Sequence, residues 1–158
     1  MELATDAPML AELDALGLPT GAEIVAFDFW EEKLLGVYQN RITLTLAPQT
    51  ARIVLIHRLP DRPQVIATNM HVLGGYHEIR RLAWDAGRLR LSGRYQRAPG
   101  LDGKAYVYVP DGFCLRQDFS PTKGTASPIS AGKNLWVHEV RFQEEPLDWA
   151  ITFERTSP

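Results

Sequence analysis

Between Ile24 and His57 the chain reads IVAFDFW, EEKLLGVYQN and RITLTLAPQTARIVLIH, four extended segments crowded into one short block. No helix fits between them, so the block predicts antiparallel neighbours and an all-β fold. Alternation sets the faces: Ile42, Leu44 and Leu46 share one side, Arg41, Thr43 and Thr45 the other. Pro48 ends that segment. In ARIVLIH, Ile53 and Leu55 are apolar on one face and Val54 and Ile56 on the other, which predicts a central strand covered on both sides.

The N-terminal residues carry the one helical signal. Met9, Leu13 and Leu16 recur at helical spacing, Asp6 can cap, Pro8 suits a first turn, and Gly17 with Pro19 stops the pattern. This predicts a short helix in a lead-in over residues 1–20, followed by a β-sandwich domain over 21–158. Beyond His57, LPDRPQ bridges to a strand near Gln64 to Ala67, and Gly74-Gly75 marks a bend. Strands at His77 to Trp84 and Arg88 to Tyr95 flank Asp85-Ala86-Gly87, a hairpin closed by a left-handed glycine. AYVYV is a further strand, turned back by Pro110-Asp111-Gly112, and Ser120 to Asn134 reads as a long loop. The last two strands read as hairpin partners, with Trp136, His138, Val140 and Phe142 on one face of the first, Leu147, Trp149, Ile151 and Phe153 on one face of the second, and a charged QEEP turn between them. The expected architecture is an antiparallel β-sandwich, jelly-roll-like, of about ten strands with one short N-terminal helix.

FDFW, then LGV, then ITLTLAPQTAR running into IVLI, resembles the C-terminal β-sandwich region of alpha-galactosidase (melibiase)-type glycoside hydrolases. The continuation VIATNMHVLGGYHEIRRLAWDAGRLRLSGRY resembles an extension of that region in larger members. Such a resemblance implies a noncatalytic accessory domain whose partner is a catalytic barrel. It also implies that the catalytic acids belong to the barrel, so none is carried over to this chain. A complete (β/α)8 barrel needs roughly 250 residues, and the sequence has 158.

Composition narrows the partners. A net charge of −2 with interspersed signs gives no phosphate-binding face, so nucleic acid is not expected. No apolar run reaches membrane-spanning length and no basic start leads into an apolar core, so neither a membrane partner nor a leader is expected. A single cysteine, Cys114, excludes an internal disulfide and makes a reducing, cytoplasmic compartment the simpler expectation.

Glycoside hydrolysis needs two carboxyl groups across the scissile bond. Asp28, Glu31, Glu32 and Asp85 lie beside aromatic strands, yet each reads first as turn or cap chemistry. His71, His77 and Glu78 suggest a cupin-like metal centre, but cupins place two histidines two apart and these lie six apart across a Gly-Gly bend. His138 sits on an apolar face and reads as a core histidine, and Cys114 as a packed thiol without an activating neighbour. No metal and no cofactor is expected. Among the aromatics, Trp30, Tyr106 and Tyr108 are the candidates for a carbohydrate-stacking platform, with Trp136 and Trp149 assigned to the core. Three readings follow: an accessory domain packed on a barrel, a carbohydrate-binding module, and a small metal-dependent cupin-like enzyme.

Overall fold

The computed structural model describes residues 7–116, 128–143 and 146–156. The fold is all-β and sandwich-like, with thirteen strands in four antiparallel sheets and no helix among the described residues. The chain divides into two compact units, Met1–Leu59 and Pro60–Pro158. The boundary falls at the proline-marked bridge.

The first unit holds β1 (Ala7–Glu12), β2 (Glu23–Asp28), β3 (Lys33–Gln39), β4 (Arg41–Leu46) and β5 (Val54–Arg58). The expected N-terminal helix is absent: residues 7–12 form β1, paired with β4 so that Met9 faces Leu44 and Ala11 faces Ile42. Two or three helical turns cannot offset their nucleation cost alone, whereas pairing with β4 satisfies the same backbone groups. Leu13 starts a tight turn, in which the Leu18 amide donates to the Leu13 carbonyl and Gly17 is left-handed at φ 79°. Only this turn remains of the helical spacing.

β2 is the centre of the order β3-β2-β5, and its residues Ile24 to Asp28 are all buried. The apolar strand β5, expected to be central, is an edge whose residues Val54 to His57 are half-buried on both faces. An apolar run reports that both faces are covered, not that both edges are paired. Adjacent β3 and β4 do not pair either; Asn40, at φ 66°, redirects the chain so that β4 meets β1. Alternation in β4 holds, with Ile42 buried, Leu44 and Leu46 half-buried, and Arg41, Thr43 and Thr45 exposed.

The second unit stacks two four-stranded sheets. One runs β10 (Phe113–Leu115), β13 (Leu147–Arg155), β8 (Arg90–Tyr95), β7 (Ile79–Asp85). The other runs β11 (Ile129–Ser130), β12 (Leu135–Arg141), β9 (Asp102–Tyr108), β6 (Gln64–Thr68). Their inner faces meet in one core, with Val65, Ala105, Val107 and Val140 from one sheet against Leu91, Tyr95, Phe113, Trp149, Ile151 and Phe153 from the other. Burying a side chain of Leu, Ile or Phe size stabilises by roughly 1.5–3 kcal/mol, so this core dominates the unit's stability. Gly93 is needed inside β8, because a Cβ there would lie 2.8 Å from Trp149 Cζ2.

The β7–β8 hairpin forms as expected, but its loop does not close on Gly87. Leu89 takes the left-handed position at φ 49°, and Asp85 Oδ1 accepts the amides of Gly87 and Arg88, both at 3.0 Å. Those backbone hydrogen bonds, with Arg88 beside it, hold the Asp85 carboxyl below its usual range. Within the stretch expected to be a long loop, residues 120–127 lie outside the described residues, and Ile129 and Ser130 form the short strand β11 on β12. Residues 144–145 of the charged turn also lie outside them.

Candidate functional site

Burial separates the three aromatic candidates. Trp30 is 60% exposed, whereas Tyr106 is 2% and Tyr108 6% exposed. The two tyrosines sit on β9, which is paired on one edge with β12 and on the other with β6, and from Ala105 to Tyr108 every residue is buried, so neither ring offers a face to a sugar. The expected stacking platform therefore keeps only Trp30 at the surface. Burial pushes the Tyr108 hydroxyl above its ordinary pKa, with the nearby Asp111 charge adding to it.

Trp30 is presented by the turn after β2. Asp28, fully buried, accepts the amides of Trp30 and Glu31 on Oδ1 at 3.0 Å each. Its Oδ2 lies 3.3 Å from Arg52 Nη1, an ion-pair contact that lacks the direction of a hydrogen bond. Phe29 meets Trp30 edge-to-face at 4.9 Å between centroids and holds the indole in place. Asp28 is therefore turn chemistry tied to a cation, and Glu31 and Glu32 occupy the solvated turn. These acids do not form a facing pair across a cleft.

Arg52 also belongs to the rim of a recess of about 320 Å³ in the same unit. Met9 and Ala11 of β1, Ile42, Leu44 and Leu46 of β4, and Val54 and Ile56 of β5 line it, with Thr50 and Ala51 beside Arg52 at the mouth. The recess is lined by β4, which pairs with β1 rather than with β3, and by β5, an edge strand of its sheet. No single sequence signal marks it; the alternation of β4 identified the inner residues but not the space in front of them.

The histidines fall into two settings. His71 and His77 lie in the exposed loop between β6 and β7, their rings edge-to-face at 5.4 Å, and His71 Nδ1 accepts the Leu73 amide at 3.2 Å. Glu78 is buried beside them in sequence, with Oε2 unpartnered. Among the described residues no group of three His, Cys, Asp or Glu side chains could hold a metal ion. The same loop carries Tyr76, 76% exposed and edge-to-face with His77 at 5.4 Å. Tyr76 was passed over as an aromatic candidate, although the left-handed Gly74 and Gly75 just before it signal an exposed bend.

His138 is fully buried, as a core histidine should be. Tyr95 Oη lies 3.3 Å from its Nδ1, and desolvation lowers its pKa to about 4. Trp149 stacks on Tyr95 at 4.9 Å and 16° and flanks the same imidazole. Cys114 is half-buried; its pKa is raised by desolvation first, then by the hydrogen bond it donates to Glu154 Oε1 at 3.4 Å. A thiol held protonated beside a carboxylate is a poor nucleophile.

Compared with known proteins, the chain matches no family model, no curated protein and no solved structure.

Proposed function

We propose that the chain is a noncatalytic accessory β-domain of a glycoside hydrolase, and that its first unit is the face presented to a catalytic barrel. The observation that carries this reading is the set of exposed apolar side chains between residues 7 and 59: Met9, Leu10, Leu16, Trp30 and Val37. Exposed apolar groups that gather into a patch mark interaction surfaces. Trp30 is the natural anchor, since an amphipathic ring on a rigid turn suits the centre of an interface. The resemblance of the FDFW-to-IVLI block is what supports a catalytic barrel as the partner.

The reading is tested in two arms. Assayed on a panel of aryl glycosides, the chain alone should give no turnover. Added to alpha-galactosidase-type barrels stripped of their C-terminal region, it should raise their melting temperature, and Trp30→Asp and Leu10→Asp should cancel the effect. Turnover by the chain alone that one carboxylate substitution abolishes would overturn the reading.

A carbohydrate-binding role is the second reading, favoured by the exposed rings of Trp30 and Tyr76. Each ring could carry one pyranose by stacking. Calorimetry with neutral polysaccharides separates the two: binding lost in Trp30→Ala or Tyr76→Ala, with the fold intact, supports it, and silence across the panel counts against it.

A further inference from the structure

We propose that the recess between β1, β4 and β5 is a binding site for a small amphipathic carboxylate, with its chain in the recess and its head on Arg52. The inference concerns a cavity rather than a protein partner and stands independently of the accessory-domain reading. Three observations carry it.

The first is the lining. The side chains of Met9, Ala11, Ile42, Leu44, Leu46, Val54 and Ile56 are hydrocarbon apart from one thioether, and the polar side chains of the lining are Thr50 and Arg52, both exposed. Such a wall favours an apolar occupant. The second is size. At about 320 Å³ the recess reaches the lower end of small-ligand pockets, which span roughly 300–1,000 Å³. A methylene displaces close to the volume of one liquid water, roughly 30 Å³, so the recess holds a straight chain of about ten carbons.

The third is the placed cation. Arg52 lies at the mouth, and one Nη of its guanidinium is drawn toward buried Asp28 at 3.3 Å. That contact places the fork without consuming it, because it lacks hydrogen-bond direction and a guanidinium carries five N–H donors. Asp28 in turn accepts the Trp30 and Glu31 amides, which sets its carboxylate beside Arg52. A half-exposed fork with donors to spare suits the two oxygens of a carboxylate. A cationic head would meet like charge, and an alcohol head would use one donor instead of two.

Calorimetric titration of the full chain with decanoate, decanol and decyltrimethylammonium, each below its micelle concentration, tests the proposal. Decanoate should bind saturably at one site, at least tenfold tighter than either of the other two. Arg52→Gln should weaken decanoate at least tenfold. Since that change also strips buried Asp28 of its cation and can unfold the unit, Ala51→Trp provides a second arm. This substitution fills the mouth from an exposed position, leaves the Asp28 pair intact, and should abolish binding at an unchanged melting temperature. Absent saturation with decanoate, equal binding of all three amphiphiles, or undiminished affinity in a folded variant of either kind would overturn the proposal.

Discussion

His138 is the residue whose protonation should be felt by the fold. Its folded pKa lies near 4 against an ordinary value of 6.5, so between those values the unfolded chain binds more protons than the folded one. Stability therefore rises with pH across this window, is fully present above about 6.5, and is lost as pH falls toward 4. At about 1.4 kcal/mol per pKa unit the loss is roughly 3 kcal/mol. Urea melts at pH 7.0, 5.5 and 4.5 should show the decline, and His138→Gln should flatten it. A second residue-scale expectation concerns Gly93: with Trp149 Cζ2 2.8 Å from the Cβ position, Gly93→Ala should cost about 1–3 kcal/mol by overpacking, read as a lowered urea midpoint. The core status of His138 and Trp149 was legible in the sequence because each alternates in phase with aliphatic residues. Tyr106 and Tyr108 misled the same reasoning. Alternation reports a difference between faces, and β9 has none to report.

Among the elements, the β7–β8 hairpin was legible and most strand partners were not: β12 and β13, expected to pair as a hairpin across the charged turn, lie in different sheets, β12 on β9 and β13 on β8. The β7–β8 hairpin and the β10 approach through Pro110-Asp111-Gly112 follow from local chemistry; in the latter the Phe113 amide returns to the Pro110 carbonyl and Gly112 sits at φ 87°. The pairing of β1 with β4 depends on a strand outside the FDFW-to-IVLI block, which no local pattern announces. Pairing also predicts dynamics. β9 is bonded along both edges and buried, whereas β1 is bonded along one edge and carries exposed Met9 and Leu10. Native-state hydrogen exchange should therefore find the paired amides of β9 protected to near the global unfolding free energy, and those of β1 open to local fraying. Equal protection in the two strands would contradict this ordering. On β8 and β13, the Arg94–Asp148 pair links facing residues through two hydrogen bonds of 2.6 and 2.7 Å. Arg94 is partly and Asp148 largely open to water, so Arg94→Ala should leave the urea midpoint almost unchanged.

At the scale of the whole molecule, the two units differ in how much core each owns. The second has an extensive cluster drawn from two stacked sheets; the first has a smaller cluster of Leu13, Ile24, Ala26 and Ile42 with half-buried neighbours, and Val25, Phe27 and Phe29 are buried besides. A fragment starting at Pro60 should fold cooperatively by itself. A fragment ending at Leu59 should melt at a much lower temperature and less cooperatively, since a chain of about 60 residues buries only about 60% of the surface its unfolded form exposes and is marginal. Circular dichroism melts of the two fragments check both halves of this expectation. Sequence reasoning reached the all-β sandwich class because apolar periodicity is a local property. Its failure to find the recess has an equally physical origin: the recess is lined by strands far apart in sequence, β1, β4 and β5, and a pairing such as that of β1 with β4 leaves no local residue pattern.

The placement of the indoles gives this protein two separate optical reporters. Of the four tryptophans, Trp30 alone belongs to the first unit and stands in water, while Trp84, Trp136 and Trp149 belong to the second, the last of them stacked on Tyr95. Emission from the first should be red-shifted and open to aqueous quenchers, and the most buried indole, Trp149, should emit at shorter wavelength and be shielded from them. A single fluorescence trace resolved by wavelength can thus say which part of the polypeptide has come apart, without any label being attached.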